Sequence, residues 1–97
     1  MFKKSHNQCT VDELRRVLLS QALREQLGWT PNMALSVMVT TAHVEFYAQE
    51  GGAFPLDDFN RVTITHDIME AMDWNVCDKV QIEVCQEKKC IALFKTA

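Results

Sequence analysis

Two stretches of the chain carry the same order of apolar and polar positions. In the first, the run Val17-Leu18-Leu19 gives way to Ser20, and Leu23 and Leu27 then recur at helical spacing. Trp29 follows, and Leu35, Val37 and Val39 alternate with other residues before Val44-Glu45-Phe46. In the second, Val62-Thr63-Ile64, Thr65, Ile68, Met72, Trp74, the alternation Val80, Ile82, Val84 and the run Ile91-Ala92-Leu93 repeat that order. A short β-prone run, inward residues four apart and then an alternation of period two predict strand, short helix and hairpin in each stretch. Ser20 and Thr65 are suited to cap the helices, their hydroxyls accepting from exposed first-turn N–H groups. Gly28 is suited to end the first helix in a left-handed conformation, and Asp73, at the same place in the second, tolerates that less easily.

A shift of 45 residues lays 11–39 over 56–84 without a gap. Asp12/Asp57, Arg16/Arg61, Val17/Val62, Glu25/Glu70, Trp29/Trp74 and Val39/Val84 are identical, and the remaining apolar positions match in kind. The chain is therefore read as a duplicated unit, with repeats over 8–48 and 53–95 joined by Gln49-Glu50-Gly51-Gly52. The expected fold is one domain over 1–97, mainly β with two short helices, built from two tandem β-α-β-β repeats. The second hairpin is expected to have the longer tip, because Val39 to Val44 is five steps and Val84 to Ile91 is seven.

The repeat also explains Thr65-His66-Asp67, which looks like part of an active site. Thr65 falls at the cap and His66 and Asp67 in the first helical turn, where adjacent residues do not face each other as a relay requires. Asp67 is favoured there by the helix dipole alone, and the other copy has Ser20-Gln21-Ala22 with no histidine. No nucleophile, base and orienting group come together, and there is no phosphate-binding glycine loop, so no catalytic residue and no enzyme is expected.

Ninety-seven residues with 47% apolar content are enough for one modest core. No apolar run approaches the length of a membrane span or a secretion signal, so a soluble cytoplasmic protein is expected. The four cysteines, Cys9, Cys77, Cys85 and Cys90, include no CxxC pair, and free thiols are the expectation. Cys85 and Cys90 bracket Gln-Glu-Lys-Lys and can face each other across a hairpin. His6, His43 and His66 add no metal-ligand spacing, so neither metal nor cofactor is assigned. The net charge of −3 is unevenly spread. Residues 1–48 hold five cations against four acids, and residues 49–97 five against nine.

Strand, capped helix, tryptophan turn and hairpin in this order resemble the AbrB/MazE/SpoVT family of swapped-hairpin DNA-binding domains. VDELRRVLLSQALREQLGW followed by ALSVMV is particularly similar to the bacterial AbrB transition-state regulators, whose pattern runs VDELGRVVIP, ELRR, LGI and a hairpin. The resemblance implies a swapped-hairpin β-barrel, which family members assemble from two chains and which the tandem copies here would supply within one. It also places Arg16 and Arg24 on arginine positions in the first copy and Arg61 alone in the second. Arg15 stands where the family has glycine, Ser20 where it has proline and Glu25 at the second arginine of ELRR, while Cys9 replaces an arginine of the leading strand.

The resemblance implies a transcriptional regulator that contacts double-stranded DNA through Arg16, Arg24 and Arg61, and the +1 balance of the first half adds Arg15, Lys3 and Lys4 and makes the first repeat the main contact. Arginine suits this work because its planar fork grips phosphate or guanine bidentately. The competing reading makes these arginines surface charges paired with Asp12, Glu13 and Glu25. The alternative function is a protein-interaction or antitoxin-like barrel, using the acidic second half, without strong DNA binding. No small-molecule substrate is expected, and self-association or a protein partner stays open beside a self-sufficient monomer.

Overall fold

The computed structural model describes the backbone of residues 3–96 and the side chains of residues 8–96. The chain is mainly β with two short helices. Its elements are β1 (Lys3–Thr10), β2 (Arg16–Leu18), α1 (Gln21–Leu27), β3 (Leu35–Val39), β4 (Val44–Ala48), β5 (Arg61–Thr63), α2 (His66–Met72), β6 (Lys79–Cys85) and β7 (Cys90–Lys95). All strand pairs are antiparallel and form a five-stranded sheet, in the order β1-β6-β7-β4-β3, and a two-stranded ribbon of β2 and β5. These ladders do not join into a closed ring among the described residues. No helix among them is long and apolar enough to cross a membrane.

Each helix forms as its local sequence dictates. The Ser20 hydroxyl accepts from the Leu23 N–H and that of Thr65 from the Ile68 N–H. Both helices end in a left-handed residue, Gly28 at φ 70° and Asp73 at φ 56°, so the aspartate adopts the conformation it was expected to resist. His66 points to solvent, 3.1 Å from Glu70 one helical turn on. Thr65 is thus a cap and His66 half of a surface pair.

The two repeats are related by a pseudo-two-fold axis that the strand register reveals. In the ribbon, Val17 pairs with its own equivalent Val62, and in the sheet Glu45 pairs with Ala92, equivalent once the longer second hairpin is allowed for. Hydrogen bonds cross between the halves in matching pairs: the Leu19 N–H to the Asn60 carbonyl at 3.1 Å, and the Ile64 N–H to the Arg15 carbonyl at 2.7 Å. One core takes side chains from both copies, including Val17, Leu19, Leu35 and Phe46 from the first and Val62, Ile64, Ile82 and Leu93 from the second. Trp29 and Trp74 are each only 4% exposed, and their backbone N–H groups donate to equivalent helical carbonyls, of Arg24 and Met69, both at 2.9 Å.

Two features break the symmetry. β1 pairs with β6 from Lys79 to Val84, with an irregularity between Lys4 and Gln8, whereas its counterpart in the second copy makes only the Phe54 N–H bond to the Leu35 carbonyl at the start of β3 and the Leu56 N–H bond to the Met33 carbonyl before it. The hairpins also differ, but not as expected. Val39 pairs with Val44 and Cys85 with Cys90, so four residues form each tip. The two extra residues of the second hairpin extend its ladder by one pair instead of lengthening the turn.

Candidate functional site

The ribbon displays the residues that the repeat shares. Because side chains alternate along a strand, burial of Val17 and Val62 turns Arg16, Leu18, Arg61 and Thr63 to the opposite face. Arg16 pairs with Thr63 and Leu18 with Arg61, so the two arginines sit diagonally across the pseudo-two-fold. Diagonal neighbours of this kind lie about 7–8 Å apart, within reach of one extended ligand.

Each arginine is set by an aspartate four residues earlier. Asp12 Oδ1 accepts from the Leu14 N–H at 2.9 Å and the Arg16 N–H at 2.8 Å, while Oδ2 accepts from Arg16 Nε at 2.8 Å. Asp57 repeats the clamp on the Phe59 N–H at 2.8 Å, the Arg61 N–H at 2.9 Å and Arg61 Nε at 2.7 Å. Partial burial alone would push both carboxyls up, but the backbone N–H donors and the guanidinium together outweigh it and hold them below the usual carboxylate range. A folded-state value below the unfolded one near 3.9 adds stability above that pH and loses it as pH falls through the folded value. The Asp12→Asn plus Asp57→Asn chain is therefore expected to lose about 1 kcal/mol per site at pH 7, these partly exposed pairs being partly screened. It should also show a flatter decline below about pH 4 than the parent, as urea titrations across pH will reveal.

The other predicted arginines do not join this pair. Arg15 has φ 62°, the left-handed geometry that accounts for glycine in the family pattern. Its side chain lines a cleft of about 560 Å³ beside α2, with Glu13, His66, Met69 and Trp74, and its Nε is buried with no hydrogen-bond partner among the described residues. Arg24 lies in the last turn of α1, its Nε 3.4 Å from the Leu19 carbonyl. The first repeat's Arg15 thus packs on the second repeat's helix and Arg24 stays on its own. Lys3 and Lys4 lie in β1 with backbones opposite Val84 and Glu83, and their side chains fall outside the described residues. The clamps also show Arg16 held by Asp12, as the surface-charge reading has it.

Sequence reasoning missed the apolar residues around the arginine pair. Leu14 is 63% exposed, Leu18 56% and Phe59 68%, and Phe59 stacks under the Arg61 guanidinium at 5.0 Å. Leu14 and Phe59 are equivalent across the repeat, a signal visible in the 45-residue alignment. The described residues hold no cluster of three or more His, Cys, Asp or Glu side chains arranged to bind a metal ion. No protein-family model, no curated protein and no solved structure matches the chain. The functional reading therefore rests on the ribbon and its surroundings.

Proposed function

We propose that this chain is a single-chain form of the swapped-hairpin barrel and that it binds double-stranded DNA, as a non-enzymatic regulator, through the outer face of the β2/β5 ribbon. Support for the barrel comes from the exchange of hydrogen bonds between halves at Leu19–Asn60 and Ile64–Arg15, and from the pairing of β1 with the second hairpin. The observation that carries DNA binding is the diagonal pair of Arg16 and Arg61 on one face, related by the pseudo-two-fold as duplex backbones are related by their dyads. Arg15, from the turn before β2 and lying beside α2, and Arg24, in α1, serve as flanking contacts. Asp12 and Asp57 keep their charge and offset part of the arginine field, so affinity is modest and two or three phosphates are engaged.

A second reading is favoured by Leu14, Leu18 and Phe59. Three large apolar side chains around two charge-neutralised arginines also suit a protein partner.

Anisotropy titration of a mixed-sequence duplex pool at low salt decides between them. Under the DNA reading, Arg16→Ala and Arg61→Ala each weaken binding by about tenfold, Leu18→Ser leaves it unchanged, and the log–log salt slope is near −2 to −3. Circular dichroism confirms that each variant is folded. An absence of binding at low salt, or loss with Leu18→Ser but not with the arginine variants, overturns DNA binding and leaves the partner reading.

A further inference from the structure

The two residues that lengthen the second hairpin make one ladder pair, and both are cysteines. In the first hairpin the last pair is Val39 with Val44, and its equivalent, Val84 with Ile91, is followed by Cys85 with Cys90. Pseudo-symmetry does not require this pair. Both thiols are 1% exposed and neither is in a disulfide. Each thiol also shifts the titration of the other, Cys90 helping to lower Cys85 and Cys85 helping to raise Cys90. The turn of Gln86, Glu87, Lys88 and Lys89 lies exposed beyond them.

We propose that Cys85 and Cys90 form a peroxide-reactive dithiol that closes into a cross-strand disulfide at the end of the β6–β7 ladder. The two sulfurs have different environments, and the difference assigns their roles. The Lys88 backbone N–H is the leading cause that holds the Cys85 thiol below its ordinary value, outweighing burial with a smaller contribution from Cys90, which favours the nucleophilic thiolate. Burial and the neighbouring Glu45 carboxylate push Cys90 up to about 11, so it stays protonated until it is needed. Cys85 attacks one peroxide oxygen, an S–O bond forms as the O–O bond breaks, and hydroxide leaves to take up a proton as water. Cys90 sulfur then attacks the Cys85 sulfenic sulfur, the S–O bond breaks, and the departing hydroxyl takes the Cys90 proton as a second water. The dithiol loses two electrons and the peroxide gains them.

Burial selects the oxidant, since hydrogen peroxide is small enough to enter when the tip loosens and a glutathione disulfide is not. The remaining cysteines lack this arrangement. The Cys9 thiol donates to the Leu18 carbonyl at 3.1 Å and burial pushes it up, and Cys77 is exposed in a turn outside the ladders.

The test treats the native full-length chain with limiting hydrogen peroxide, alkylates the remaining thiols and maps the cysteines by mass. The expected product is lighter by two hydrogens, with Cys85 linked to Cys90, Cys9 and Cys77 still alkylated, and Tm raised by about 5 °C until dithiothreitol is added. Cys90→Ser is expected to stop at a Cys85 sulfenic acid that dimedone traps, whereas Cys85→Ser leaves Cys90 alkylatable. Oxidation of Cys77 or Cys9 ahead of an intact Cys85–Cys90 pair overturns the proposal, as does equally fast reaction with oxidised glutathione. The unsubstituted chain alone is decisive if either variant fails to fold.

Discussion

Trp29→Ala and Trp74→Ala are each expected to cost about 3–5 kcal/mol, and by nearly the same amount, because the two indoles fill equivalent sites across the pseudo-two-fold. Both are 4% exposed and both follow a left-handed helix end, so truncation leaves the same void beneath α1 and α2. For a domain of this size, Tm should fall by more than about 12 °C in either variant. Phenylalanine should separate them. Trp29 Nε1 is buried with no acceptor among the described residues, a cost that phenylalanine removes, whereas Trp74 has no such orphan. Trp29→Phe is therefore expected to be milder than Trp74→Phe by about 1 kcal/mol. Thermal and urea unfolding of the four variants tests this, and strongly unequal alanine costs would show that the two halves are not packed alike.

Gly52→Ala should cost about 3 kcal/mol, while Gly51→Ala costs about 1. A Cβ on Gly52 would lie 2.5 Å from the Leu35 carbonyl carbon and closer still to its oxygen. That carbonyl cannot retreat easily, since it accepts the Phe54 N–H at 3.0 Å and so ties the second copy's leading segment to β3. Gly51, at φ 78°, meets nothing within 4 Å and suffers only backbone strain. What reads as a flexible linker therefore contains one residue fixed by close backbone approach. If both variants unfold at the same denaturant concentration, that approach is not a real constraint.

The duplication, the capped helices, the tryptophan positions and both hairpins were legible in the sequence because each depends on residues a few positions apart. A hydroxyl reaches the N–H three residues on, an alternation of period two assigns the two sides of a strand, and a 45-residue offset needs no knowledge of what lies across the core. The Asp12 clamp on Arg16 belongs to this class, spanning four residues, and the repeat carries it to Asp57 on Arg61, a pairing the sequence reading did not draw.

Neighbours distant in sequence were decided by the tertiary structure. The polar segment Lys3–Thr10 carries no apolar alternation and becomes a strand because the edge of β6 offers its backbone partners. Register then placed Arg61 beside Arg16, whereas the crossing of the halves sent Arg15 to α2 and left Arg24 on α1. Register also drew the two additional residues of the second hairpin into the ladder, joining the cysteines that the sequence allowed to face each other, where the spacing alone suggests a longer turn. In each case the deciding interaction joins backbone groups that only the folded sheet brings together, so the residue types identified the candidate chemistry while the ladder decided which of them meet.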